Sequence, residues 1–298
     1  MDSLSISTAS SDKTLDILES PYFLPGTNLL EAKKQLSPLR KRNGLRFEGH
    51  RGSGLLEPEN TIRAFKKAIE LDIDGVELDV WISKDGVPII VHGDDNGIVA
   101  FKDASLNRHA TEIDSKDLNE WLLPNGEAIP TLEDVLFVCK NRMRVNIELK
   151  EETRRPVLPT IELLLKLNML DHICFSSFFH QHKIWIEEAR RELKIEHPIE
   201  FGFLVWETKD FGEVLNVYGT EHDTLNIDID LLLKHEDFTL AEMTKAQDRG
   251  LRIKFYFGFE QPENSEIYQR LRKLKVDTLI INHPLTVLEY IAVEPKAV

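Results

Sequence analysis

Residues 46–65 read RFEGHRGSGLLEPENTIRAF, an apolar run that ends on His50 and Arg51 and is followed eight or nine residues later by Glu59 and Asn60. Three further segments carry related cargo. Glu77 and Asp79 lie in GVELDV, His92 ends PIIVH, and Glu148 and Lys150 lie in RVNIELK. In the two acidic runs the charged positions alternate with Leu78 and Leu149. On a strand, that two-residue period puts Glu77 and Asp79 on one face, and likewise Glu148 and Lys150. Three carboxylates brought to one place repel one another and call for a cation between them. An all-oxygen donor set with no cysteine nearby favours a hard divalent ion, Mg²⁺ or Ca²⁺. His50 and His92 are then free for proton transfer. Arg51 offers a planar fork and Lys150 a point charge to phosphate oxygens. Such a set suits cleavage of a phosphodiester: one histidine activates the nucleophile, the other protonates the leaving alkoxide, and the ion balances charge on the phosphoryl oxygens.

Chemistry at strand ends requires a scaffold that aims those ends at one place. Nine short apolar runs are candidate strands: 46–50, 75–80, 88–92, 144–150, 172–177, 200–206, 223–229, 251–256 and 277–282. Helical patterns lie between most of them, at 61–72, 131–140, 157–169, 180–193, 239–249 and 264–274. Strand–helix alternation predicts a parallel sheet with helices outside, and near-continuous apolar runs such as FGFLV predict strands covered on both faces. Between 75–80 and 88–92 lies only WISKDGV, whose Asp85-Gly86 is a tight-turn signal with no room for a crossover helix. The pair therefore reads as one barrel strand running into an antiparallel hairpin arm, and eight parallel strands remain. The predicted fold is α/β, a (β/α)8 TIM-type barrel with an extra β-hairpin arm, an open doubly wound sheet being the alternative. Residues 93–128 form a short irregular insertion, 1–44 a flexible N-terminal tail with Ser37 as a candidate phosphorylation site, and 45–298 the barrel.

Bulk composition excludes several classes. The 298 residues hold 37 Lys and Arg against 51 Asp and Glu, a formal charge of −14. Nucleic-acid binding needs a basic face, so no nucleic-acid partner is expected. The first twenty residues lack the basic-then-apolar pattern of a secretory signal, and no run is long enough for a membrane span. Two cysteines in apolar contexts suit buried thiols in a reducing compartment. The expected location is cytoplasmic.

The ordered string GHRG, EPENTIRAF, GVELDVWISKDGVPIIVH, IPTLEDVL, VNIELK and FSSF resembles the glycerophosphodiester phosphodiesterase family from His50 to about Pro284. The resemblance implies a barrel holding one divalent cation, with His50 and His92 as the catalytic acid–base pair. It implies Glu77, Asp79 and Glu148 as metal ligands, Arg51 and Lys150 as contacts to substrate phosphate, and Glu59 and Asn60 as supports. The implied reaction converts a small-molecule glycerophosphodiester to sn-glycerol 3-phosphate and an alcohol, in lipid and glycerol metabolism. The chain departs from the family pattern after the second histidine, which reads His92-Gly93-Asp94-Asp95. It departs again near the C-terminus, where KFYFGF replaces a tryptophan-bearing strand and Asn282-His283-Pro284 replaces Thr-Asp-Pro. These departures bear on the alcohol pocket, with Tyr256 or Phe257 as substitutes for the tryptophan.

Two alternatives stand beside this reading: lysophospholipase D-like or sphingomyelinase D-like cleavage of lipid head groups on the same barrel, and a non-catalytic binding barrel. The first needs peripheral membrane contact, for which Trp121, Leu122 and Leu123 are a candidate lip, although packing of the insertion onto the barrel is the simpler role. Each signal taken alone has a bland reading. EPENT also marks a helix start with Asn60 or Thr61 as N-cap, while Trp81 and Trp206 read as core or mouth packing. The other histidines lack partner spacing, and of these His283 alone falls at a strand end.

Overall fold

The computed structural model describes residues 44–293. The tail expected over 1–44, with Ser37, lies outside the described residues except for Gly44. Strands β1 (Arg46–Gly49) and β2 (Gly75–Ile82) are followed by β3 (Pro88–Ile90) and by a two-stranded ribbon of β4 (Ile98–Val99) and β5 (Arg108–His109). Then come β6 (Arg144–Leu149), β7 (Ile173–Ser177), β8 (Phe201–Val205), β9 (Thr224–Asp228), β10 (Arg252–Tyr256) and β11 (Thr278–Ile281). The large sheet runs β1-β11-β10-β9-β8-β7-β6-β2-β3, and β1 also pairs with β2. Parallel register at Arg46↔Thr278 and at Glu48↔Gly75 closes β1 between its two neighbours. Eight parallel strands thus form a closed TIM-type barrel, and β3 is the antiparallel arm, paired to β2 through Val80↔Ile90 and Ile82↔Pro88.

Helix boundaries follow local chemistry. Thr61, not Asn60, is the N-cap of the helix Ile62–Glu70, its hydroxyl accepting from the Ala64 amide. Thr131 and Asp134 form a reciprocal capping box at Leu132–Cys139. The patterns at 157–169, 180–193 and 264–274 appear as Val157–Lys166, His182–Glu192 and Ser265–Lys273, and that at 239–249 begins earlier, as Glu236–Asp248. Three helical segments had no sequence expectation: Asp210–Glu213 continuing into a π-helical turn at Val214–Tyr218, Ile229–Lys234, and Pro284–Val293. The last opens on a proline, whose fixed φ suits a first helical position.

Two differences from the sequence reading bear on function. The run 88–92 pairs only as far as Ile90; past Val91, whose amide still reaches the Asp79 carbonyl, the chain leaves the sheet, and His92 sits in the irregular segment that follows. The barrel interior is also far more polar than continuous apolar runs suggest. Phe47 faces outward against Tyr268 and Tyr290, but Glu48, Asn146 and Lys254 are buried. Lys254 Nζ donates to Glu48 Oε1 at 3.1 Å, and Asn146 Nδ2 donates to Glu48 Oε2 at 3.3 Å. Lys254→Met would leave the Glu48 charge buried without its cation, at a cost of about 3–5 kcal/mol. A lowered urea midpoint, partly restored by adding Glu48→Gln, is the expected result.

The insertion is not loose. Val99, Phe101, Ala110, Ile113, Leu118 and Leu123 build a second small core against Trp81 and Ile89 of the hairpin arm. Trp121 packs on Phe101 at 5.7 Å with Arg108 4.2 Å above its ring, so the candidate lip is held by the insertion itself. Both cysteines are free and buried. No helix among the described residues is long and apolar enough to cross a membrane.

Candidate active site

Strands β2 and β6 bring Glu77, Asp79 and Glu148 together, one ligand atom from each lying within 4.8 Å of the others, all three buried. Register explains the meeting: β2 and β6 pair Glu77↔Asn146 and Asp79↔Glu148, so the inward positions of adjacent strands fall side by side. The sequence-predicted trio is therefore one cluster.

Its surroundings show an unmet need. Glu77 Oε2 accepts the Arg51 amide at 2.9 Å, but Glu77 Oε1 is buried without a hydrogen-bond partner. Burial first, then the neighbouring Asp79 and Glu148 charges, push the Glu77 carboxyl well above its usual range. Asp79 goes the other way: burial would raise it, but Lys150 and Arg51 outweigh burial and hold it below the ordinary carboxylate range. An orphaned carboxylate oxygen aimed into a cluster of acids fits a hard cation, which would supply the missing partner and cancel the repulsion.

Arg51 and Lys150 flank the cluster. Lys150 Nζ lies 2.7 Å from Glu148 Oε1 and 3.4 Å from Asp79 Oδ1. Arg51 reaches Glu59 at 2.8 Å and Asp79 at 3.3 Å, and its guanidinium stands 5.0 Å over Phe259. Asn60 Nδ2 donates to Asp79 Oδ2 at 2.7 Å, and its amide reaches the Arg51 carbonyl at 2.9 Å. Both Arg51 and Asn60 have positive φ, 50° and 55°. That conformation turns the Arg51 amide toward Glu77, and local backbone strain of this kind collects at functional sites.

His50 and His92 each point Nδ1 at an oxygen. His50 Nδ1 lies 2.8 Å from Asn282 Oδ1, and His92 Nδ1 lies 2.7 Å from the Gly93 carbonyl. Asn282 Nδ2 donates to the carbonyls of Phe257 and Gly258, so its oxygen is the atom that faces His50. Acceptors at both Nδ1 atoms require the hydrogen there and leave Nε2 as the reactive nitrogen. His50 Nε2 is 3.9 Å from Glu77 Oε2. Burial, and after it the Arg51 charge, lowers His50 to about 4, so its imidazole is neutral at physiological pH. The Trp81 indole donates to the His92 carbonyl at 3.2 Å and fixes the arm that carries it.

Three residues on the His50 side were not assigned to the site from sequence, although Asn282 and Phe259 fall in segments noted above as departures from the family pattern. Asn282 is one; Phe259, stacked on His50 at 5.0 Å, is another. Glu263 is the third, accepting the amides of Asn282 and His283. Asn282 ends a parallel strand, and the strand-end rule that singled out His283 applies equally to it. Phe259 and Glu263 lie in a loop with no such signal. His180 and His182 are buried structural groups, bonded to the Leu204 carbonyl and to Ser177 and Thr153. Of the two candidates on β10 and after it, Tyr256 reaches the barrel mouth, bonding the Val205 carbonyl, and Phe257 packs outward on Tyr268.

The fold and this cluster define a TIM-type barrel with a carboxylate centre and two imidazoles at the carboxyl ends of its strands, the side on which such barrels place their chemistry. The sequence model of the glycerophosphoryl diester phosphodiesterase family matches residues 50–286, and the chain belongs to that family. It is 35% identical over 159 residues to a glycerophosphodiester phosphodiesterase of Caldanaerobacter subterraneus, covering 49% of this chain and 63% of that protein. Over 172 residues it is 54% identical to glycerophosphodiester phosphodiesterase domain-containing protein 5 of Gallus gallus, covering 49% of this chain and 28% of the other. The matched stretches thus span less than two thirds of these relatives' lengths. Among solved structures, a glycerophosphodiester phosphodiesterase of Agrobacterium tumefaciens superposes with a TM-score of 0.64 at 20% identity, covering 84% of this chain and 100% of that one. A phosphodiesterase of Oleispira antarctica, solved with the product sn-glycerol-3-phosphate, gives 0.60 at 20% identity, covering 83% and 96%.

Proposed function

We propose that this protein is a metal-dependent phosphodiesterase that hydrolyses glycerophosphodiesters to sn-glycerol 3-phosphate and an alcohol. The observation that carries this reading is the orphaned Glu77 oxygen within a buried carboxylate trio, flanked by two imidazoles whose Nε2 atoms are left free. Glu77, Asp79 and Glu148 would hold one divalent ion, Mg²⁺ or Ca²⁺, which when bound supplies positive charge to the phosphoryl oxygens. Arg51 and Lys150, already beside the cluster, orient the phosphate, and Asn60 and Glu59 keep Asp79 and Arg51 in place. His50 and His92 carry the proton transfers, one taking a proton from the nucleophile and the other giving one to the departing alkoxide. The test is a coupled assay for released glycerol 3-phosphate against choline, ethanolamine and inositol diesters, with and without chelator. Activity retained in excess chelator would refute the metal assignment.

Asn282 has a measurable part in this scheme. It touches no substrate; it sets the tautomer and direction of His50. Asn282→Ala should lower kcat by about tenfold to a hundredfold, the usual scale for a partner that orients a site group, with KM little changed. Asn282→Asp, which keeps the acceptor, should recover part of the rate.

A second reading keeps the chemistry and enlarges the substrate to a lysophospholipid. Its specific support is the pair Leu55 and Leu56, exposed by 54% and 38% in a cleft with Phe259 and Glu59 beside the His50 side of the site. Turnover of lysophosphatidylcholine at a rate comparable to that of glycerophosphocholine would favour this reading, and binding to liposomes without such turnover would discard it.

A further inference from the structure

His92 differs from the rest of the candidate site in what supports it. Glu77, Asp79 and Glu148 stand on barrel strands, and His50 is held by Asn282 and Phe259 from the closing strand and the loop before it. The hairpin arm that leads to His92 divides its side chains between two cores. Val80 and Ile90 belong to the barrel, whereas Trp81, Ile89 and Val91 belong to the small core built by the insertion. Among the described residues the His92 ring makes one hydrogen bond, to the Gly93 carbonyl, and the His92 carbonyl takes the Trp81 indole at 3.2 Å. What fixes Trp81 therefore fixes the backbone from which His92 projects.

Trp81 is fixed by the insertion. The His109 ring meets it edge-on, with centroids 5.0 Å apart and planes at 84°. His109 is itself pinned, its Nδ1 accepting the Thr111 amide at 3.2 Å, with Thr111 Oγ1 2.7 Å from the same nitrogen. An amide can only donate, so Nδ1 is the acceptor, and in the neutral ring the hydrogen sits on Nε2. Gly97 closes the contact from the other side. A Cβ at Gly97 would fall 2.6 Å from His109 Nε2 and 2.7 Å from Trp81 Cη2, and its φ of 75° lies where glycine is favoured. The Gly97 amide reaches the Asp94 carbonyl at 2.8 Å, and its carbonyl accepts the Ala110 amide at 2.9 Å. The segment after His92 is thus tied to the ribbon in which Ile98 pairs with His109.

We propose that His109 is a positioning residue for His92, acting through Trp81, so that the insertion rather than the barrel sets where the second imidazole stands. The inference rests on the phosphodiesterase reading above. The physical chain is short: the pinned His109 ring fixes the indole, the indole N–H fixes the His92 carbonyl, and a small displacement of a proton-transfer group is costly in rate. Gly97 is needed because the two rings occupy the space its side chain would take.

His109→Ala should lower kcat by about tenfold to a hundredfold, the scale of a partner that orients a site group, with KM little changed. His109→Phe keeps a ring edge against Trp81 and should recover most of the rate. Trp81→Phe, which keeps a ring in the insertion core and removes the indole donor, should lower kcat in the same way. The metal-induced Tm shift should persist in all three, because the carboxylates stand on β2 and β6. Placed in a His92→Ala background, His109→Ala should add no further loss, since a residue that acts through His92 has nothing left to position. The His92 imidazole resonances, followed by NMR, should move in His109→Ala and return in His109→Phe, a readout independent of turnover. Full activity of His109→Ala, an equal loss in both backgrounds, a raised KM at unchanged kcat, or unmoved His92 resonances each overturns the positioning role and leaves the phosphodiesterase standing. Wild-type protein that releases glycerol 3-phosphate from no diester overturns the phosphodiesterase reading, and the positioning role with it.

Discussion

Glu77→Gln is expected to abolish the rise in Tm that Mg²⁺ or Ca²⁺ should give the wild-type protein. Glu77 has the least satisfied carboxylate of the trio, with one oxygen bonded to the Arg51 amide and the other without a partner. Its carboxyl is raised by burial and by the charges of Asp79 and Glu148, a penalty that a bound divalent ion would relieve. For wild-type protein the expected stabilisation is about 2.7 kcal/mol when the ion stands at a hundred times its dissociation constant. The glutamine variant keeps the shape and one oxygen acceptor but loses the charge that attracts the ion. Without the ion it should be as stable as wild type or more so, because the repulsion within the trio is gone. This pairing, higher intrinsic stability with lost metal response, separates a metal centre from a buried acidic cluster of purely structural use. Equal metal responses in the two proteins would discard the ligand set.

His92→Ala and His50→Ala should each reduce glycerol 3-phosphate release by a factor of about 10² to 10⁴, the usual contribution of a positioned acid or base. Both residues lie just outside the strands at the barrel mouth, so circular dichroism and the metal-induced Tm shift should persist in both variants. The double variant should be scarcely slower than the worse single one, since groups acting on one transition state are not additive. A His92→Ala protein with full activity would remove His92 from the mechanism. The two variants also differ in one respect. His50 is packed against Phe259 and bonded to Asn282, so its loss leaves the Asn282 oxygen unpaired and costs some stability. His92 holds only the carbonyl of its own neighbour and should cost less.

Much of the site was legible because its chemistry is written in side chains whose spacing matches a strand. Glu77 with Asp79 and Glu148 with Lys150 follow the two-residue period, and only five residues, 83–87, separate β2 from the arm that leads to His92. The closed barrel followed from counting alternating strands and helices. What the pattern missed has specific causes. The apolar appearance of β10 concealed Lys254 because one charged residue among aromatic and branched neighbours weighs little in a run, although alternation turns it to the barrel axis. The segment 210–218 failed as a helix in sequence because it is short and passes into a π turn. Phe259 and Asn282, with Glu263 behind Asn282, belong to the far end of the chain, and their place beside His50 depends on β1 closing against β11.

The sequence by itself determined which side chains meet at the candidate site: three carboxylates, two imidazoles and two basic groups, in an order and spacing that put each on a strand or just past its end. Those are properties of residue type and short-range period, which one chain segment fixes alone. The tertiary structure decided the rest. It left one Glu77 oxygen without a partner and aimed the Asn282 oxygen at His50. Partnership and burial depend on which distant strands become neighbours when the barrel closes, and no local period carries that information.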